Sequence, residues 1–295
     1  MEETISALRA LRETFLSRVQ CALLVMVAAS GPGEAAAANR IVSLAPNLTE
    51  LTFSAGAGAQ IVGTVEFRDY PEAAKASPRI GDAFRIDFEQ LLALHPDVVL
   101  AWESGTPQAV IDRLRALKVN VQVIATYSIA DIGKALREIG VIVGTTQVAE
   151  AAGARFESEI EVLSKQYSAR PQVSVFLQIN DRPLFTVNGK QIMSQIATLC
   201  GGRNVFGDLN DLAPEIGEEA VLAADPEVIL ATDNSGEDAL EHWRHWQRMK
   251  AVVTGNLYVL APDDLARPTV RLARGAADMC RTLETARGKM KRTAK

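Results

Sequence analysis

One thirteen-residue pattern occurs twice in this chain. Glu89-Gln-Leu-Leu-Ala-Leu-His-Pro-Asp-Val-Val-Leu-Ala101 aligns without a gap to Glu219-Ala-Val-Leu-Ala-Ala-Asp-Pro-Glu-Val-Ile-Leu-Ala231, 130 residues further on. In each copy a glutamate opens a short amphipathic helical pattern, and a proline stops it because proline cannot continue a helix. An apolar run of strand length follows, of the kind a parallel sheet buries on both faces. Each copy leads into a second helix and strand: 110–117 and 121–124 in the first half, 239–249 and 257–260 in the second. The duplication predicts an α/β fold of two similar lobes, each on a parallel sheet.

The stretch between the copies reads as the joint. Residues 146–167 contain no proline, and Val148, Ala152, Phe156, Ile160 and Leu163 recur at helical spacing against a charged face. A helix of that length measures about 33 Å, enough to link two lobes stiffly. The first lobe starts with the β-prone run Arg40-Ile-Val-Ser-Leu-Ala-Pro46. Asn47-Leu-Thr-Glu50 has capping-box form, with a helical pattern to Ala55 and a strand over 61–65. The expected organisation is a leader over 1–38, an N-terminal lobe over 39–145, a linking helix over 146–170, a C-terminal lobe over 171–286 and a basic tail over 287–295.

The leader has the order of a secretory signal. Arg9, Arg12 and Arg18 precede a nine-residue apolar run over 21–29, and small residues follow at Ala35 to Ala38. The run is too short to span a bilayer, which takes roughly 20 residues. Cleavage near Ala38 removes Cys21 and leaves Cys200 and Cys280. Two thiols in an exported protein are candidates for one disulfide; two buried free thiols are the alternative.

Composition removes several function classes. The 31 basic and 36 acidic residues give a net charge of −5, which does not suit a general nucleic-acid binder. With three histidines and three cysteines, no metal centre is expected. Gly56-Ala-Gly58 follows a helix, whereas a dinucleotide fingerprint follows a strand. Val187-Asn-Gly-Lys190 lacks the upstream glycine of a phosphate loop. His242-Trp-Arg-His245 reads as a surface helix packing Trp243 and Trp246. Neither a Gly-x-Ser-x-Gly nor a His-Glu-x-x-His motif is present, so no catalytic residues are proposed.

The pattern resembles the helical-backbone substrate-binding proteins of ABC importers for metal chelates, and within that family its cobalamin binders. The markers are Arg40-Ile-Val-Ser-Leu-Ala-Pro-Asn-Leu-Thr-Glu50, Asp69-Tyr-Pro71, Leu94-His-Pro-Asp-Val-Val-Leu-Ala-Trp102, Val175-Phe-Leu-Gln178, Leu199-Cys-Gly-Gly-Arg-Asn-Val-Phe206 and Arg267-Pro268. The resemblance implies a periplasmic monomer, not an enzyme, that holds cobalamin or a related chelate in a cleft and delivers it to a permease dimer. No cofactor beyond that ligand is implied. It implies permease docking through Glu89 and Glu219, the heads of the repeat, and ligand contacts from Phe67, Tyr70, Trp102, Gln178, Asp263, Asp264 and Arg267. Two cleft positions that hold tryptophan in such a binder are Ala83 and Ala213 here.

Other readings stay open at this point. Haem would ask for an iron-ligating Tyr or His, with Tyr70 and Tyr127 as candidates. A ferric siderophore would favour cleft arginines, with Arg68, Arg85, Arg182 and Arg267 available. From other classes, a metal-dependent enzyme on a duplicated α/β scaffold would need a ligand set, and a partner-binding adaptor would need no cleft.

Overall fold

The structure, a computed structural model, describes residues 37–67, 69–82, 85–232 and 238–293. Residues 1–36 of the expected signal peptide, Cys21 among them, fall outside these residues, as do Arg68 and Ala83.

The repeat produces two four-stranded parallel sheets of one topology. The first holds β1 (Ile41–Ser43), β2 (Ile61–Thr64), β3 (Val98–Trp102) and β4 (Val121–Ile124), in the order β2-β1-β3-β4. The second holds β5 (Val173–Gln178), β6 (Gly202–Asn204), β7 (Val228–Ala231) and β8 (Leu257–Val259), in the equivalent order β6-β5-β7-β8. Equivalence extends to single hydrogen bonds. His95 and Asp225, matched in the repeat, both turn through the left-handed region, at φ 45° and 42°. The next carboxylates clasp the neighbouring strand starts: Asp97 accepts from the amides of Asn39 and Arg40, and Glu227 from Ser174. Asn120 and Asn256 donate to the carbonyls of those same two acids.

The longer helices are α1 (Pro46–Ser54), α2 (Phe88–Ala93), α3 (Gln108–Ala116), α4 (Ile129–Val143), α5 (Thr146–Tyr167), α6 (Ile192–Leu199), α7 (Glu218–Ala224) and α8 (Leu272–Thr293). Alternate residues of the strands face opposite layers, as strand geometry requires. Val42, Val99 and Ala101 pack outward on Leu91, Val110 and Leu114, while Phe176, Ile229 and Ala231 pack on Val221 and Trp243. The inner faces share one continuous core. It runs from Ile41, Val98 and Leu100 through Leu136, Phe156 and Ile196 to Leu177, Leu230 and Leu283. A core common to both lobes, with α5 crossing it, resists bending at the joint.

Four local expectations are corrected. The capping box does not form: α1 starts at Pro46, whose missing N–H and preset φ suit the first helical turn, and this places Asn47 inside the helix. Glu50 is then free to bond elsewhere. The helix expected over 239–249 breaks into Asp238–Glu241 and a tight 3-10 turn, His242–His245. Of its tryptophans only Trp243 is buried, donating its Nε1–H to Gln178 Oε1 at 2.7 Å, whereas Trp246 is exposed. The basic tail does not start at 287. Helix α8 continues through it, and Arg287 is buried, donating to the carbonyls of Pro171, Cys200 and Gly201. Capping the end of α6 gives a cation there a structural use.

Candidate cleft and docking face

In parallel sheets the crevice at the carboxyl ends of the strands is where ligands bind. Segments that follow these ends in the two lobes bond to each other at two seams. At the first, Gln195 of α6 accepts at Oε1 from the Ile129 amide (3.3 Å) and donates from Nε2 to the Tyr127 carbonyl (3.0 Å). At the second, Arg267 and Arg271 reach the Glu50 carboxylate of the opposite lobe. Arg271 binds it with two bonds, 2.7 and 2.9 Å, and Arg267 adds one of 3.1 Å. Arg267 also pairs with Asp69 and, at 3.5 Å, with Asp263. Asp264 pairs with Arg274 and Arg271.

Trp102, the last residue of β3, is fixed by its neighbours. Its Nε1–H donates to Thr126 Oγ1 at 2.8 Å, and its amide donates to Thr106 Oγ1 at 2.9 Å. Its indole is half-buried against the common core. Phe67, beyond the end of β2, is 71% exposed and turns through φ 61°. An apolar ring that open, in a strained backbone, is surface held without protein contact to cover it.

The remaining expected contacts fare differently. Gln178 is fully buried, and its amide bonds the Ala239 carbonyl and the Trp243 indole, so it supports the core and not the cleft wall. Asp264 is likewise buried and spent on its arginines. Tyr70 lies beneath the Arg271 guanidinium, 4.4 Å from its ring. There it lines a recess of about 560 Å³ between α5 and the start of α8 that includes none of Phe67, Trp102 and Arg267. Asp263 and Arg267 stay near the cleft, with Arg267 already shared among three carboxylates. Sequence reasoning missed the exposed Leu209 and Leu212, near Ala213 on the second lobe, and gave Tyr127 only as an iron ligand. A loop pinned by Asn188, which donates to the Leu209 and Asn210 carbonyls, carries no motif that marks it.

Glu89 and Glu219 occupy the same place on equivalent helices. Each is the second residue of its helix, α2 or α7, and each is exposed. Asp87 caps α2 by accepting from the Gln90 amide at 2.9 Å, leaving Glu89 free of that task. Among the described residues no three His, Cys, Asp or Glu side chains gather to hold a metal ion.

Two duplicated parallel-sheet lobes, a shared core and a crevice at the strand ends define a two-lobed binding-protein fold. A family model described as periplasmic binding protein matches residues 41–263, and the chain belongs to that family. It is 31% identical over 263 residues to a vitamin B12-binding protein of Vibrio campbellii, covering 88% of this chain and 93% of the relative. A vitamin B12-binding protein of Yersinia pestis is 33% identical over 203 residues, covering 69% and 72%. The solved periplasmic vitamin B12 binding protein of Vibrio cholerae superposes with a TM-score of 0.79 at 30% identity, covering 85% of this chain and 98% of that one. A periplasmic heme-binding protein from Roseiflexus shares the fold at 24% identity and a TM-score of 0.74, covering 84% and 98%.

Proposed function

We propose that this chain binds cobalamin, or a closely related corrinoid, in the cleft between its lobes and delivers it to an ABC importer from the periplasm. It acts as a monomer and performs no chemistry on its cargo. The observation that carries the reading is the 31% identity to a vitamin B12-binding protein over 88% of the chain. Trp102, fixed at the strand end, supplies apolar wall for a flat macrocycle with few polar contacts. Export rests on the leader pattern and on family membership; among the described residues no helix is long and apolar enough to cross a membrane.

Isothermal titration of residues 39–295 with cyanocobalamin, beside haemin and a ferric siderophore, tests this. The expected result is a one-to-one complex at micromolar affinity or better, roughly −8 kcal/mol. Haemin binding with no cobalamin binding would move the ligand to porphyrin.

Delivery uses Glu89 and Glu219. Two equivalent carboxylates on two equivalent lobes suit arginines on a two-fold permease, since carboxylate–guanidinium pairs fix register and orientation. The double variant E89R/E219R is expected to bind cobalamin as the parent does and to lose at least about tenfold in uptake. Undiminished uptake into cells carrying only this variant would reduce both residues to helix-end charges, worth about 0.3–1 kcal/mol each.

A further inference from the structure

We infer that Tyr127 is a wall of the ligand site, forming with Trp102 the aromatic platform on the first lobe. This rests on the corrinoid reading above. The two residues are placed together by the sheet: β3 and β4 are adjacent, with Trp102 opposite Ile124, so the chain leaves β4 beside the indole. The Trp102 Nε1–H then bonds Thr126, the residue before Tyr127.

Tyr127 is held through its backbone and its ring is still left open. Its carbonyl accepts from Gln195 of the opposite lobe at 3.0 Å, and Gln195 is itself tied to the Lys190 carbonyl at 2.8 Å. Its phenol lies close enough to the carboxylate of Glu103, the residue after Trp102, to feel its charge. Yet the residue is 53% exposed. A tyrosine whose backbone is fixed has two side-chain torsions to order, so a ligand covering the ring gains area at modest entropic cost.

The test compares cyanocobalamin titrations of the parent protein with those of Y127A, Y127F and W102A. Thermal melts confirm that each variant is folded. Cobalamin affinity should fall about tenfold in Y127A and stay within about twofold in Y127F, because the ring and not the hydroxyl does the covering. W102A should weaken binding at least as much. If the parent binds cobalamin and W102A weakens it while Y127A does not, the inference about Tyr127 falls and the functional reading stands. If the parent binds no cobalamin, both fall.

Discussion

Replacing Cys200 and Cys280 together by alanine is expected to cost about 4 kcal/mol and lower the melting temperature by roughly 10 °C. The two cysteines form a disulfide that closes a loop with a sequence separation of 80. In the chain-entropy model a closed loop of that size removes about 4 kcal/mol of freedom from the unfolded chain. Both cysteines are fully buried, so the bridge is out of reach of reductants until the protein opens. It joins the end of α6 to the middle of α8 within the second lobe.

That junction has a second clasp. Arg287 donates to the carbonyls of Cys200 (2.8 Å) and Gly201 (3.0 Å). Gly201 takes φ 73°, and a Cβ there would lie 2.7 Å from the Arg287 guanidinium, so this turn needs glycine. Because Arg287 keeps the local geometry, the alanine pair should fold to the same structure and lose stability chiefly through the unfolded chain. Calorimetry of the parent and the double variant checks it. A melting point unchanged within about 2 °C would show that α8 is held by packing alone.

How far the sequence disclosed this protein depends on whether a signal was local. The lobes, the sheets and helix α5 were legible because the repeat and the apolar periodicity each express one element at a time. Glu89 and Glu219 were legible for the same reason, as equivalent positions in aligned copies. The disulfide followed from counting cysteines once the leader was set aside. What failed needed partners distant in sequence. Gln178 has the look of a strand-end ligand contact, but Trp243 and Ala239, more than 60 residues on, take up its amide. Arg287 looks like one of several tail cations, and only the fold shows it meeting carbonyls from Pro171 and Cys200. Glu50 mimics half of a capping box until Pro46 starts the helix two residues early and frees its carboxylate. Tyr127 stands alone as an exposed ring until the pairing of β3 with β4 and the bond from Trp102 to Thr126 show which strand end it follows.

Glu50 carries the other large effect. Glu50→Gln is expected to destabilise the protein by about 3–5 kcal/mol, because removing one partner of a buried ion pair strands the others. Glu50 is 2% exposed, with both oxygens bonded by Arg271 and one also by Arg267 across the lobe boundary. Its loss leaves Arg271 inside the joint with only a 3.5 Å contact to Asp264, which Arg274 already binds more closely, and the face of the Tyr70 ring. If the cost arises from that stranded charge, then removing Arg271 as well should restore much of it. The pair E50L/R271M should therefore be more stable than E50L alone, since apolar replacements of similar volume often match a buried pair.

Stability alone does not separate a lobe latch from an ordinary buried pair, so hydrogen exchange supplies the second readout. In E50Q, protection should fall at both sides of the seam, in α1 and in the segment 262–271, and remain in the outer layers. Asp69 adds a dependence on pH. Desolvation alone would raise its carboxyl, but the Arg267 bond and charge more than offset that and hold it below the ordinary value. A carboxyl lowered by folding stabilises at neutral pH and loses that contribution as pH falls through its folded value. The seam should thus loosen from about pH 4 downward, and D69N should remove that part of the acid dependence. Exchange that rises in one lobe only, or an E50L/R271M pair no more stable than E50L, would mean that the shared core and not this ion cluster fixes the lobes.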